Sequence, residues 1–369
     1  MSVLAPPIHA PAPATDRLDA LPPARRDPAL DLLRGLAITL LVVNHLPLDS
    51  PLEDATSAVL SAAEMLVCVS GVVAGLVFGR RWLTLGGRPT TLMLIRRARK
   101  LYLAAVAVIS IFGLMTLVPW LATDGFAESR GVDHYEYGEP ARLVQAILTL
   151  EAGPWHFNIL GFFVAVLAVT PALLWALARG WWPVVVLSSL ALYAIGRAWD
   201  PEVLLSQSEQ PFPLLVWQVL YVGGLLVGWH RQAIVRALAR HGRLWFALAA
   251  VLAVAAIAAR LTIDERHFGK DLLDPGRVVV MVLIMTGVYL AFQRYRRAAD
   301  LVASWLQPLG ANSFYVYIMQ VFVCLGVASI PALTGTGLGP VSNTFVQLGC
   351  LLALWTMVRR RFLFRWVPR

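Results

Sequence analysis

Apolar residues fill long stretches of the chain, and polar residues gather in the shorter segments between them. A helix needs about 20 predominantly apolar residues to cross the hydrocarbon core of a bilayer. No fixed-period repeat and no separate soluble domain is visible in the pattern. The pattern therefore predicts an all-α fold, a polytopic transmembrane helical bundle of about ten spans, at 29–48, 57–79, 101–120, 155–178, 182–199, 212–229, 244–261, 277–293, 310–330 and 341–358.

The segments between these spans are short, except for two loops on the predicted outer face. Residues 1–24 are rich in Pro and Ala and have no apolar core of a signal peptide, so they are predicted to be a disordered cytoplasmic tail. The membrane domain is predicted at 25–358, followed by a basic cytoplasmic tail at 359–369. Within the largest loop, residues 140–151 have the apolar spacing of a short amphipathic helix. Residues 263–277 form the second sizeable loop, and either loop is a lid or an ordinary connection.

Composition and charge agree with a membrane protein. The 369 residues are 58% hydrophobic and only 14% charged, and the formal net charge is +9. Because the basic residues lie between apolar runs and are not interleaved with aromatic residues, nucleic-acid binding is not expected. Cys68, Cys324 and Cys350 all fall in apolar stretches, where free thiols behave as small hydrophobes, and no metal-binding spacing is present.

The distribution of Lys and Arg predicts the orientation of the bundle. Positive residues in short loops are retained on the cytoplasmic side of the membrane. With the N-terminus inside, 23 of the 31 basic residues lie in inner segments and 7 in outer ones. This imbalance predicts that both termini are cytoplasmic, which also requires an even number of spans.

The first predicted span, within RRDPALDLLRGLAITLLVVNHLPL, contains Asp31, Arg34 and His45. Titratable residues inside a span are costly and therefore suggest a function. His45 lies close to the outer end, where a neutral imidazole can take a proton from a hydroxyl that attacks an acyl carbon. The alternative is a boundary histidine that bonds a loop carbonyl. Asn44, its neighbour, is placed among the substrate-binding residues.

Glu64 lies in the second span at nearly the depth of His45, roughly 10 Å below the outer surface at 1.5 Å per residue. A carboxylate that faces an imidazole fixes its tautomer and stabilises the imidazolium, so Glu64 is the second predicted catalytic residue. Alternatively, Glu64 forms a structural ion pair with Arg34. Asp31 and Arg34 share a helix face and either neutralise each other or present the guanidinium to a phosphate or carboxylate.

A basic cluster follows the second span. Arg96, Arg99 and Lys100, followed by Tyr102, have helical spacing that could grip the phosphates of a nucleotide-containing donor. The alternative is that they only set the topology of the chain. No GxxxxGK[ST] loop and no GxGxxG motif accompanies them. Ser313, at the inner end of the ninth span, is available to line a cavity or to satisfy neighbouring helices.

The outer mouth of the fourth span begins with the sequence WHFN. Trp155, His156 and Asn158 can stack against and hydrogen-bond a sugar ring, or Trp155 is an ordinary interfacial aromatic. Arg277, at the outer boundary of the eighth span, complements an acidic acyl group or caps the interface. These residues complete the predicted substrate-binding set.

The order of five motifs resembles the OpgC-type integral-membrane acyltransferases of the wider transmembrane acyltransferase superfamily: DLLRGLAITLLVVNH, SAAEMLVCVSG, RRARKLY, KDLLDPGR and LGANSFYVYIMQ. The resemblance runs from about residue 25 to residue 320. It implies a ten-span topology, an acyl-CoA donor reached from the cytoplasm and acyl transfer to a carbohydrate on the far side. The family's functional positions fall on His45, Arg34, Glu64, Ser70, Gly71, Arg96, Arg99 and Arg277.

The expected function is therefore O-acyl transfer, with succinyl as the expected group, from cytoplasmic acyl-CoA to a hydroxyl of a periplasmic glucan or another cell-envelope glycan. The expected location is the bacterial inner membrane, and the expected partners are a carbohydrate acceptor and the lipid bilayer. Homo-oligomerisation is left open, and no metal is expected. Ser70 and Arg34 are predicted to line a pore for the acyl group, and His45 and the inner basic residues are predicted to face this shared cavity. The alternative function is a transporter or flippase of an acidic or sugar-linked substrate that uses the same buried charges.

Overall fold

The structure is a computed structural model that describes residues 27–57, 61–123, 140–150, 153–199, 212–239, 241–263, 267–270, 272–334 and 338–367. Side chains are described throughout these ranges except at positions 140, 155, 158, 238, 239, 296–299 and 334. The predicted N-terminal tail and most of the largest loop lie outside the described residues.

Every regular element in these ranges is helical, which confirms the all-α prediction. The helices follow the chain as α1 Pro28–His45, α2 Pro51–Ser57, α3 Ala62–Leu85, α4 Gly87–Met115, α5 Pro140–Leu148, α6 Asn158–Ala178, α7 Trp182–Trp199, α8 Leu214–Ala239, α9 Gly242–Thr262, α10 Pro275–Arg294, α11 Arg296–Ala311, α12 Ser313–Ala328, α13 Pro331–Thr334 and α14 Pro340–Arg359. A 3₁₀ turn, Trp155–Phe157, leads into α6, and α3 contains a π-helical segment, Ala74–Phe78.

Membrane-spanning length is met by eight of the helices in the described part of the chain, or by nine if α11 and α12 count together as one broken span bent by 84°. Helix α8 is not among them, but its 26 residues extend about 39 Å at 1.5 Å per residue, and it corresponds to the predicted span at 212–229. With α8 the number agrees with the roughly ten spans that the sequence predicts. The predicted amphipathic helix in the largest loop is α5.

The local sequence explains where several helices begin. Asp27 caps α1 by accepting a hydrogen bond from the backbone N of Ala29 at 3.0 Å, and Pro28 occupies the first helical position. Pro275 and Pro340 have the same position in α10 and α14. These prolines start a helix without loss of an intrahelical bond, because the first N–H groups of a helix have no intrahelical partner.

The helices differ greatly in how much they are enclosed. The apolar window of α3 is 67% buried, whereas that of α9 is 11% buried. The exposed residues of α9 include Leu244, Val251 and Val254, which would be unfavourable in water over such an area. This arrangement is typical of a bundle with central helices around a site and peripheral helices facing lipid. We call the end at which α1 finishes the His45 end, and the opposite end the Asp27 end.

Two central helices, α3 and α8, pack with their backbones in close contact. A Cβ atom added at Gly71 or Gly75 of α3 would lie 2.1 Å from a carbonyl oxygen of α8. Added at Gly224 or Gly228 of α8, it would lie 2.3 or 2.1 Å from a carbonyl oxygen of α3. Both pairs have the four-residue spacing of small residues that lets membrane helices approach closely. The crossing fixes α3, and therefore Glu64 and Ser70, in the centre of the bundle.

We expect Gly224→Ala to lower the thermal stability of the protein by about 1–3 kcal/mol, because its Cβ meets the backbone of Cys68, which cannot yield like a side chain. The measurement is thermal unfolding in detergent. Gly223→Ala is the matched control on the same helix, since a Cβ there meets no atom within 4 Å of the described structure. An equal loss of stability in both variants would contradict the packing of α3 on α8.

Helix α11 packs closely against α1. An added Cβ at Gly310 would lie 1.8 Å from the carbonyl oxygen of Asp31, and one at Gly35 would lie 2.1 Å from that of Leu306. The chain then turns sharply at Asn312 into α12. The bend directs one face of α12 along the same part of the bundle as α1. At the C-terminus, residues 360–367 form turns that fold back on α12, where Tyr315 donates to the carbonyl of Phe362 at 2.8 Å.

Candidate active site

His45 lies at the end of α1 between two elements that are distant in sequence. Its Nδ1 is 3.0 Å from Nε2 of Gln320 on α12. Its ring meets the ring of His156 edge to face, with centroids 4.9 Å apart and an interplanar angle of 85°. The structure therefore brings together His45 and His156, which the sequence placed on different spans. Gln320 is not among the site residues predicted from the sequence.

His156 is buried and is held through its backbone. The hydroxyl of Tyr317 donates a hydrogen bond to the carbonyl oxygen of His156, and the Tyr317 ring meets Phe157 edge to face at 5.5 Å. Tyr317 and Gln320 are one turn apart on α12. One face of α12 thus supports both histidines. The side chains of Trp155 and Asn158, the other two predicted sugar-binding residues, lie outside the described side chains.

A cavity of about 100 Å³ lies in the centre of the bundle between the two ends. It is bounded by α1, α3, α4, α6, α8 and the first turns of α12. Its polar lining comes from six side chains: Arg34, Ser70, Arg97, Tyr221, Ser313 and Tyr317. Apolar residues such as Ile38, Leu66 and Phe163 complete the wall. The part of α3 that faces it includes the π-helical segment, a distortion that occurs frequently at functional sites.

Arg34 has a defined contact in this cavity. Its Nη2 donates to Oγ of Ser313 at 2.8 Å, across 279 positions of sequence. Ser70 lines the same cavity from α3. Three residues that the sequence predicted to bind substrate or donor therefore share one wall.

The sequence predicts that His45 faces this cavity directly, and the structure differs. His45 is not part of the cavity lining, whereas Tyr317 is. Tyr317 also contacts the backbone of His156, whose ring contacts His45. Tyr317 therefore links the cavity lining to the segment that carries His156, and through the His156 ring to His45.

Glu64 is ion-paired with Arg277 of α10, with Oε1 of the carboxylate 2.5 Å from Nε of the guanidinium. The carboxylate is 1% exposed and the guanidinium side chain 13% exposed. The positive charges of Lys270 and Arg260 also act on this carboxylate. The structural ion pair that the sequence suggested therefore has Arg277, not Arg34, as its cation, because α10 rather than α1 presents a guanidinium at this depth. A catalytic role of Glu64 beside His45 stays a prediction.

The loop before α10 is fixed by ionic contacts to neighbouring helices. Arg277 also donates to the carbonyl of Phe268 at 2.9 Å. Asp274 is paired with Arg197 of α7 at 2.8 Å and accepts the backbone N–H of Gly269, also at 2.8 Å. This part of the predicted lid is thus anchored to α7 and α10 in the structure.

The basic cluster on α4 contributes one arginine to the cavity, and this arginine is not among those predicted to contact the donor. Arg96, Arg99 and Lys100 are exposed, and it is Arg97 that lines the cavity. Tyr102 was predicted to contact the acyl-CoA donor. In the structure its hydroxyl donates a hydrogen bond to the carbonyl oxygen of Leu148 at the end of α5. The apolar spacing of α4 does indicate that Arg97 is on the inward face, because Leu94 and Leu101 lie one helical turn away on either side of it.

The remaining predicted residues lie around α1. Asn44 accepts a hydrogen bond from the hydroxyl of Thr56 on α2 at 2.8 Å, and Asp31 lies half-buried where α11 crosses α1. In the described residues, no group of three or more His, Cys, Asp or Glu side chains is arranged to hold a metal ion.

Comparison with known families shows which family contains this chain. The family model described as OpgC protein matches residues 26–366, nearly the whole chain. The chain belongs to the OpgC family. Membership, together with the apolar helices, supports a membrane acyltransferase that modifies glucans. No curated protein and no solved structure matches this OpgC-family chain.

Proposed function

We propose that this OpgC-family protein moves an acyl group, succinyl in our expectation, from cytoplasmic acyl-CoA to a hydroxyl of a periplasmic glucan or another cell-envelope glycan. The observation that carries the proposal is the cavity with two guanidinium groups, linked through Tyr317 and the backbone of His156 to two histidines in ring contact. A cationic cavity beside a basic imidazole combines anion binding with proton transfer.

The donor would enter from the Asp27 end, which the distribution of basic residues predicts to be cytoplasmic. Arg97 is accessible although it lines the cavity, so a phosphate or carboxylate can reach it. Arg96, Arg99 and Lys100 are exposed on the same stretch of α4 and would contact the CoA phosphates outside the cavity. Arg34, held by Ser313, is less exposed than Arg97 and would orient the acyl carboxylate or the thioester through paired hydrogen bonds.

The acceptor would enter from the His45 end. His45 would take the proton of the glycan hydroxyl as its oxygen bonds to the thioester carbonyl carbon. The carbon–sulfur bond then breaks, and the imidazolium returns the proton to the CoA thiolate. Trp155, His156 and Asn158 would contact the sugar, and Arg277 would hold Glu64 near this entrance. The location we propose for this reaction is the bacterial inner membrane.

The direct experiment uses purified protein in detergent with a glucan acceptor and either succinyl-CoA or acetyl-CoA. Mass spectrometry of the glucan detects the mass increment of the ester, and a thiol reagent detects released CoA. The proposal expects an ester with at least one donor and faster transfer with succinyl-CoA. Substrate counterflow in vesicles without CoA, together with no thioester consumption, would instead favour the transporter alternative.

We expect Arg97→Gln to raise the KM for acyl-CoA by about tenfold or more, since a charge-assisted hydrogen bond contributes about 1.5–3 kcal/mol. The reason is that Arg97 is the accessible cation of the cavity. Arg88→Gln is the matched control, because Arg88 is an exposed arginine on the same helix outside the cavity lining. Initial rates at varied donor concentration measure the effect. Equal KM values for the two variants would exclude Arg97 as a donor contact.

A further inference from the structure

Gln320 has a side chain that packing alone does not explain. It is 0% exposed, and its amide Nε2 lies 3.0 Å from Nδ1 of His45. Its Oε1 is buried and has no hydrogen-bond partner among the described residues. A buried polar atom without a partner is unfavourable, so an amide at this position calls for a role beyond filling space.

The position of Gln320 on α12 relates it to the rest of the site. Ser313, Tyr317 and Gln320 occupy positions i, i+4 and i+7, and therefore one face of the helix. Their partners are, in order, the Arg34 guanidinium, the His156 carbonyl and the His45 ring. One helix face thus contacts the cavity cation and both histidines. Gln320 is the member of this face that contacts the predicted base itself.

We propose that Gln320 is a positioning residue that fixes the tautomer of His45 for the acyl transfer described above, on which this inference rests. A glutamine amide has a carbonyl and an amino end of nearly the same shape, and a half-turn of the amide exchanges them. When Oε1 faces the ring, it accepts the Nδ1–H proton of His45. Nε2 of His45 then keeps its lone pair for the glycan hydroxyl.

Proton uptake by His45 requires the orientation of Gln320 in which Oε1 faces the ring. When the hydroxyl proton moves to Nε2 of His45, both ring nitrogens carry hydrogen. Only the carbonyl end of Gln320 can then face Nδ1, because an amino group there would place two donors against each other. The same amide oxygen therefore serves the ring before and after proton transfer, and no atom of the scaffold has to move.

The other charged or titratable groups near the end of α1 are unchanged in every variant of residue 320. His156 contacts the His45 ring from the segment before α6. Glu53 and Asp54 lie on α2, where partial burial, Asp49 and Asp54 raise the pKa of Glu53 above its ordinary value. Glu64 on α3 is paired with Arg277 on α10. A difference in pH dependence between variants of residue 320 therefore reports on residue 320 itself.

The experiment measures kcat/KM against pH for the purified wild type, Gln320→Leu and Gln320→Glu, with thermal unfolding of each. We expect Gln320→Leu to lower kcat by about 10²-fold with little change in KM, since a positioned base contributes about 10²–10⁴-fold. Gln320→Glu keeps an acceptor and should retain transfer. Its acid limb should move to higher pH by about one unit or more, because a carboxylate near the ring favours the imidazolium.

Gln218→Leu is the matched control, since Gln218 is also buried and bonds Ser189 on α7, away from His45. It should leave the pH profile unchanged. The inference is overturned if the wild type transfers acyl groups while Gln320→Leu stays within about twofold of it, or if the Gln320→Glu profile does not move. If Gln320→Leu does not fold, the Gln320→Glu profile decides alone. A wild type inactive with every donor overturns the proposed function instead.

Discussion

Replacing His45 by alanine lowers acyl transfer by about 10²–10⁴-fold in our account, the range that a positioned base contributes. The loss should appear in kcat, because His45 is not part of the cavity that would bind the donor. The KM for acyl-CoA should therefore change little. Initial rates of ester formation on the glucan, at saturating and limiting donor, separate the two effects.

The control for this variant is His230→Ala. His230 is a half-buried histidine like His45, but it lies at the Asp27 end of α8, with its ring 6.5 Å from Trp182. Its removal should leave transfer within about twofold of the wild type. A His45→Ala protein that folds and keeps more than a tenth of the wild-type rate would show that His45 is not the base.

Replacing Arg277 by methionine should destabilise the protein by about 3–5 kcal/mol, since it leaves the Glu64 carboxylate buried without its cation. Thermal unfolding in detergent measures the loss. Arg197→Met is the comparison, because the Arg197–Asp274 pair is more exposed, at 29% and 19%. That change should cost less, because exposed ion pairs contribute about 0–1 kcal/mol.

The double variant Glu64→Gln with Arg277→Met separates the two roles of Glu64. Removing both charges relieves the buried carboxylate, so the double variant should be more stable than Arg277→Met alone. If Glu64 assists His45, the double variant folds but transfers slowly. Recovery of both stability and transfer would restrict Glu64 to the structural pair with Arg277.

The fold could be predicted largely because hydropathy reports directly on membrane helices. Backbone groups inside a bilayer must bond within their own segment, so an apolar run of the right length becomes a helix. Helix α7, Trp182–Trp199, has the bounds that the sequence gives. The start of helix α4 was harder to predict, because its first turns, from Gly87, are polar and extend the helix beyond the apolar run. Hydropathy does not detect such an extension.

The candidate site was only partly predictable. The titratable residues of the first two spans stand out because they are costly inside a membrane. Ser313 and Arg277 were predicted as site residues and Gln320 was not, but none of the three pairings could be predicted, since Ser313, Gln320 and Arg277 lie more than 200 positions away from Arg34, His45 and Glu64. Such contacts depend on how α10 and α12 cross α1 and α3, and close backbone approach at Gly35 and Gly310 sets part of that geometry.

The basic cluster on α4 shows a second limit of prediction from the sequence. Helical spacing groups Arg96, Arg99 and Lys100 on one face, but it does not tell which face of the helix points inward. The structure turns Leu94, Ala98 and Ala105 inward, so Arg97 reaches the cavity. The apolar positions of the helix, rather than its charges, decided which arginine reaches the cavity.

The central claim is that the donor and the acceptor meet from opposite sides of the membrane. The most direct measurement uses sealed vesicles with glucan enclosed on the face of the His45 end and acyl-CoA added only on the face of the Asp27 end. The account predicts that ester forms on the enclosed glucan and that His45→Ala abolishes it. Ester that forms only when acyl-CoA and glucan share the same compartment would contradict it.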